Sequence, residues 1–313
     1  MQDGGARAAG TGFAGRLAAR VASRESQIVL GLDPDPARLW PVAQAAAEGP
    51  GDVAERAAAA VEAHCRALID AAGPACVAVK PQVACFERLG PPGWAALRAV
   101  ARHAADAGLL VLADAKRGDI DVTAAAYAQG LLTELPTPWG AVEGLRADAL
   151  TVNPYLGRDA LEPFAAAARE AEAGLFVLVR TSNPGAADVE DLPLAGGGSV
   201  WEHVAGLVDA LGADLDGGEP LSSIGAVMGA TRPEHLERAR ELLPRAPFLL
   251  PGIGAQGGRV EDLAPAFAPG RAGGLVTASR AIARAHEASG GDPVDAARAE
   301  AERLRAAAWS LAA

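Results

Sequence analysis

Residues 109–116 read LLVLADAK, an apolar run that ends in two charged side chains, Asp114 and Lys116. Seven further runs share this design: IVLGLD (28–33), CVAVKPQ (76–82), ALTVNP (149–154), LFVLVRTS (175–182), SIGAVMGA (223–230), PFLLPGIG (247–254) and GLVTASR (274–280). Runs this short and apolar suit strands buried on both faces of a parallel sheet. Ala/Arg/Glu-rich stretches of helical periodicity separate them. VAERAAAAVEAHCRALIDAAG (53–73) and GWAALRAVARHAADAG (93–108) are examples, each ending in a glycine suited to a C-cap. Eight strand–helix alternations predict an α/β fold, a single (β/α)8 TIM barrel. Such a barrel takes about 250 residues. The 313 residues here leave a surplus. It falls in an N-terminal tail (1–12), a Pro/Gly-rich stretch near 40–52 and two long loops, 132–145 and 183–198. One catalytic domain is expected over 13–313, closed by a helix within 292–313, with no internal repeat and no linker.

Composition sets further limits. At 50% hydrophobic and 21% charged residues, the chain is globular rather than disordered. No apolar span reaches 18 residues, so neither a membrane helix nor a membrane partner is expected. The opening MQDGGARAAGTG lacks the apolar segment of a signal peptide. Cys65, Cys76 and Cys85 form no CxxC pair and suit small buried hydrophobes in a reducing cytoplasm. A net charge of −11 disfavours a nucleic-acid partner. A small anionic ligand remains open if a local basic site receives it.

Of the 28 basic residues only two are lysine, Lys80 and Lys116. Arginine has replaced lysine wherever any cation serves. The two survivors mark positions that need a compact cation able to give up its proton. Both fall at strand ends, with Asp33, Asp114, Asn153, Ser182 and Arg280. In a barrel these ends converge on the face that carries active sites.

The densest segment is DAKRGDIDVT (114–123), with Asp114, Lys116 and Asp119 as D-x-K-x-x-D and Thr123 one helical turn on. On an extended strand positions i and i+2 face the same way, so Asp114 and Lys116 both project into the mouth. Flanking carboxylates keep such an ammonium charged. It can stabilise a developing anion and then protonate it.

This segment resembles the signature of the orotidine 5'-phosphate decarboxylase family, in its longer bacterial (type 2) branch. The resemblance extends along the chain through LGLDPDP (30–36), VKPQ (79–82), VNPYLG (152–157), RTSNPGA (180–186), GATRPE (229–234), PGIGAQGG (251–258) and ASRAI (278–282). It implies decarboxylation of orotidine 5'-phosphate to uridine 5'-phosphate in pyrimidine biosynthesis, without cofactor or metal. It also implies residue roles. Asp33 matches the ribose-binding aspartate. Lys80 joins Asp114, Lys116 and Asp119 in an alternating-charge network. Lys116 matches the proton donor to C6, and Asp114 the carboxylate beside the leaving CO2. Asp119 and Thr123 match residues that reach into the neighbouring subunit's site, which implies a homodimer with shared active sites. Ser182, or Thr181 beside it, matches the pyrimidine-binding hydroxyl. Gln256 matches the lid glutamine between phosphate and base, and Arg280 the phosphate-binding arginine. Ser279 stands where many shorter members carry glycine.

The chemistry fits these roles. Loss of CO2 leaves a carbanion with no ring position to delocalise into, and no cofactor motif supplies an electron sink. Electrostatic preorganisation and proton delivery remain. Phosphate binding far from the reacting carbon can drive loop closure.

Two rivals stand beside this reading. One is a metal-dependent sugar-phosphate decarboxylase or lyase of the same superfamily, whose members carry an acid at the second strand end. Lys80 occupies that position here and would repel a metal. The other is an inactive barrel used as a binding protein, although every charged position of the mouth is filled. Gly252, Gly254 and Gly257 form a G-x-G-x-x-G, but after the seventh strand rather than the first, so they suit a phosphate rather than a dinucleotide fold. The histidines (64, 103, 203, 235 and 286) lack metal-ligand spacing and suit helix packing or surface positions. Tyr127 suits packing or an interface. Asn153 and Tyr155 suit the shaping of a loop, and Arg117 an interface ion pair or a solvated position.

Overall fold

The structure, a computed structural model, describes residues 12–213, 220–230, 232–253 and 257–312. Eight parallel strands close into a barrel: β1 (Ile28–Leu32), β2 (Ala78–Pro81), β3 (Leu110–Arg117), β4 (Ala149–Val152), β5 (Gly174–Arg180), β6 (Ile224–Met228), β7 (Phe248–Leu250) and β8 (Gly274–Ala278). Closure comes from β1 against β8, with Ile28 opposite Val276. Six strands fall inside their apolar runs, while β3 runs one residue further, to Arg117, and β5 begins one residue earlier, at Gly174.

Two-residue alternation sorts the side chains. Ile28, Leu30, Val79, Val111 and Leu150 pack outward against the helices. Val29, Ala78, Leu110, Leu112 and Ala149 fill the interior. Carried upward, the inward series reaches Lys80, Asp114 and Thr151, all buried. The strand period therefore places the polar layer directly above an apolar one.

The surrounding helices include α1 (Phe13–Arg24), α2 (Val53–Ala72), α3 (Pro91–Asp106), α4 (Asp121–Leu131), α5 (Arg158–Glu170), α6 (Val200–Ala213), α7 (Pro233–Leu242), the short α8 (Arg280–Ala283) and the closing α9 (Pro293–Leu311). A capping box starts α2: Asp52 accepts from Glu55 N–H and the Glu55 side chain accepts from Asp52 N–H. Gly73 follows α2 at φ −54°, so it continues as a 3-10 turn instead of forming a left-handed cap. Gly108 after α3 does take a positive φ, of 73°.

Three features depart from the sequence reading. First, α1 was not marked by any special signal, yet it plugs the barrel end opposite the mouth. Phe13 meets Phe176 edge to face at 5.9 Å. Gly174 makes room for it: a Cβ there would stand 2.3 Å from the Phe13 ring. Second, 132–145 is not a plain loop but carries an antiparallel hairpin, Glu134–Thr137 against Gly140–Glu143. Its turn is held by the Thr137 hydroxyl donating to Gly140 O at 2.6 Å. Third, β3 is not extended to its end. Its register against β4 shifts between Ala113 and Arg117, and Lys116 takes a left-handed φ of 47°. The expected tail lies outside the described residues apart from Gly12, which precedes α1.

Candidate active site

A cavity of about 660 Å³ opens at the C-terminal ends of the strands. Asp33, Lys80, Asp114, Lys116, Ser182 and Arg280 all line it. Asp119 and Thr123 are not among its lining residues. Asp119 precedes α4 and Thr123 lies in its first turn, Asp119 half-buried and Thr123 exposed. Gln256 lies outside the described residues.

Asp114 is the hub. Its Oδ2 accepts from Lys80 Nζ at 2.6 Å and from Gln82 Nε2 at 3.0 Å. Its Oδ1 accepts from Lys116 Nζ at 2.5 Å and from the Thr151 hydroxyl at 2.9 Å. Lys80 reaches on to Asp33 at 4.0 Å. Burial by itself would raise the Asp114 pKa, but the two ammonium groups and their hydrogen bonds hold it far below the ordinary carboxylate range. Burial likewise opposes the Lys80 charge, yet Asp114 and Asp33 outweigh it and hold the ammonium above the usual lysine value. The side chains of Lys80 and Asp114 are each only 7% exposed, whereas that of Lys116 is 44% exposed. Lys116 is the member of the trio that a bound molecule can reach.

The bulge explains how Lys116 is held. Thr151 Oγ1 accepts the Lys116 backbone N–H at 2.9 Å while donating to Asp114. One hydroxyl thus ties backbone and carboxylate together across β3 and β4. A left-handed φ at a lysine costs about 1–3 kcal/mol, so it persists only where the surroundings enforce it. On the next turn, Asn153 N–H donates to Arg117 O at 2.8 Å, and Asn153 Oδ1 accepts from Tyr155 N–H at 3.0 Å. Asn153 and Tyr155 therefore shape their loop, and both also line the cavity. Arg117 pairs with Glu87 and stacks over the Tyr127 ring at 5.2 Å.

The far wall is built by the loop after β5. Arg180 is buried and grips Asp191 through Nε at 2.7 Å and through a terminal nitrogen at 2.9 Å. Glu190 accepts both the Thr181 N–H and the Thr181 hydroxyl at 2.9 Å. Thr181 is thereby committed to its loop, and both Thr181 and Ser182 line the cavity. On the opposite side Ser279 precedes Arg280 at the start of α8. Gly31 is needed there, because a Cβ would stand 1.8 Å from Ser279 Oγ. No group of three or more His, Cys, Asp or Glu side chains among the described residues is arranged to hold a metal ion. The histidines all sit in helical segments: His64 is buried against Trp40, and His103 pairs with Asp70 at 2.7 Å.

Residues 26–299 match the model of the orotidine 5'-phosphate decarboxylase / HUMPS family. The chain belongs to this family. Its relatives in the orotidine 5'-phosphate decarboxylase / HUMPS family include the orotidine 5'-phosphate decarboxylase of Rhodopirellula baltica, 43% identical over 88% of this chain and 89% of that protein. That of Deinococcus radiodurans is 42% identical over 94% and 95%. Among solved structures, a Streptomyces avermitilis protein is 35% identical with a TM-score of 0.78, covering 100% of this chain and 99% of the other. Leishmania donovani OMP decarboxylase is 34% identical with a TM-score of 0.69, over 95% and 99%.

Within this decarboxylase family fold, the sequence reading missed three inward-facing residues. Gln82 and Thr151 hold Asp114, and Thr277 lines the cavity with its buried hydroxyl unpartnered. None carries a charge, but all three lie on the inward period of their strands. That alternation, counted upward from Ala78, Ala149 and Leu275, is the signal that marks them.

Proposed function

We propose that this chain decarboxylates orotidine 5'-phosphate to uridine 5'-phosphate and CO2, as a cytoplasmic homodimer with shared sites and without metal or organic cofactor. The carrying observation is the Lys80–Asp114–Lys116 array, with its exposed ammonium at one side of a cavity that ends at Arg280. Names of relatives at 42–43% identity favour the decarboxylase over the sugar-phosphate lyases.

Arg280 receives the phosphate, and Gln256 bridges phosphate and base. Asp33 and Lys80 take the ribose, and Ser182 takes the pyrimidine edge. The substrate carboxylate then lies beside Asp114, which stays ionised because Lys80 and Lys116 neutralise it. The bond from C6 to the carboxylate breaks, CO2 leaves, and the electron pair stays on C6. Lys116 Nζ faces that carbanion, stabilises it and transfers a proton to C6. The neutral amine regains its proton from solvent.

Asp119 and Thr123 serve the partner's site. Ile120 is 55% and Val122 74% exposed, an apolar frame around those two polar residues that suits an isologous contact. The free cysteines support a reducing compartment: Cys65 and Cys76 are buried, and burial pushes the Cys76 thiol up to about 12.

The test is the fall in orotidine absorbance with purified protein, with and without excess EDTA. Equal rates are expected in both. Activity restored only by added Mg2+ would overturn the assignment in favour of a sugar-phosphate lyase.

A further inference from the structure

The last strand alternates like its neighbours. Val276 and Ala278 pack outward, Leu275 fills the interior, and Thr277 comes inward against the mouth cavity. Thr277 is 5% exposed, and among the described residues its hydroxyl has no hydrogen-bond partner. The other buried polar atoms in that condition belong to residues that do not line the cavity. A hydroxyl buried without a partner costs stability. Valine would fill a similar volume there without that cost.

The register shows what this hydroxyl faces. Thr277 pairs with Val29 of β1, and Val29 with Ala78 of β2. One inward step higher, β1 carries Gly31 and β2 carries Lys80, paired with each other. Alternate strands of a barrel supply one layer of side chains, so Thr277 of β8 and Lys80 of β2 flank β1, where Gly31 has no side chain to intervene. Three residues beyond Thr277, Arg280 begins α8. Thr277 therefore lies between the lysine–aspartate array and the arginine. Leu178, Val227 and Leu249, which continue the floor, are apolar and suit the face of a ring. In a nucleoside monophosphate the sugar joins base to phosphate, so the sugar is the part that passes over Thr277.

We propose that Thr277 is a further substrate-binding residue, whose hydroxyl pairs with a ribose hydroxyl from the cavity floor and selects ribonucleotides over deoxy forms. This rests on the nucleotide reading above. A threonine hydroxyl both donates and accepts. It meets a sugar hydroxyl without adding charge beside Lys80, which Asp114 at 2.6 Å and Asp33 at 4.0 Å already balance. A site built to hydrogen-bond a substrate hydroxyl rejects the analogue that lacks it, because its own buried group is then left unpaired.

Titration calorimetry of the full chain tests this, with uridine 5'-monophosphate and its 2'-deoxy and 3'-deoxy analogues as probes. Thr277→Val should bind uridine 5'-monophosphate about three- to tenfold more weakly than wild type. It should bind one of the two deoxy analogues as wild type does, and that analogue names the hydroxyl. Thr277→Ser should restore the affinity. The melting temperature of Thr277→Val should equal or exceed that of wild type, since an unpartnered hydroxyl is removed. Unchanged affinity in Thr277→Val, an equal loss for all three nucleotides, or a lowered melting temperature would overturn the proposal while leaving the nucleotide reading intact. A wild-type protein that binds none of the three would overturn both.

Discussion

Thr151 Oγ1 holds Lys116 by its backbone N–H at 2.9 Å, and the same hydroxyl donates to Asp114. The Lys116 ammonium is therefore positioned from a neighbouring strand. Thr151→Val keeps the shape and removes both hydrogen bonds. It should lower kcat about ten- to hundredfold, as for loss of hydrogen bonds to charged groups worth ~1.5–3 kcal/mol, and leave KM nearly unchanged. Thr151→Ser should restore most of the rate. Steady-state kinetics of the two variants decide it: wild-type kcat in Thr151→Val would show that Lys116 is placed without this hydroxyl.

Lys116→Arg retains the charge but loses a transferable proton and a compact head. Less than about a tenth of wild-type kcat should remain, a loss above ~1.4 kcal/mol, while nucleotide monophosphate still binds. A variant above that level would remove Lys116 from the role of proton donor.

The shared site can be tested by complementation. Lys116→Ala and Asp119→Ala dimers should each be nearly inactive. After subunit exchange at equal concentration, random pairing makes about half the dimers mixed, each with one intact site. Activity should thus return to about a quarter of the sites as exchange, followed by a mass tag, proceeds. Exchange without recovery would place Asp119 in its own subunit's site.

His64 links stability to pH. Its Nδ1 accepts the Trp40 N–H at 3.2 Å, and burial, with His286 second, lowers its pKa to about 4. The unfolded chain takes up a proton near pH 6.5 that the folded chain refuses until about 4. Stability from this group is therefore full above pH 6.5 and falls as pH drops towards 4, by up to ~3 kcal/mol. The depressed Asp114 acts in the same direction but only below the ordinary aspartate pKa of about 4. Urea unfolding at pH 7 and pH 5 should show a smaller pH effect in His64→Asn, whose amide oxygen can replace Nδ1. An undiminished effect would assign the pH dependence to another group.

All eight barrel strands and the Asp114–Lys116 pair were legible because burial on both faces writes apolar runs and a two-residue period carries charges to one face. The left-handed backbone at Lys116 was not, since alternation says nothing about φ. The hairpin at 134–143 was masked by Pro136, Pro138 and Gly140, which read as loop. FAGRLAARVASR, the α1 sequence, differs little from the outer helices, although its Phe13 and Leu17 enter the barrel instead of covering it. Alternation places Gln82 and Thr151 inward, but their role as donors to Asp114 is seen only in the structure.

The plug beneath the barrel also bears on biogenesis. Ala14 N–H donates to the Ser223 hydroxyl at 3.3 Å, across 209 positions of chain, and β1 completes its pairing only with β8. Docking of α1 through this contact thus waits until the chain has been made as far as Ser223, just ahead of β6. Contacts of such sequence separation make folding slow, and the apolar face of Phe13, Leu17 and Val21 lacks these partners until the segments that carry Phe176 and Ser223 are present.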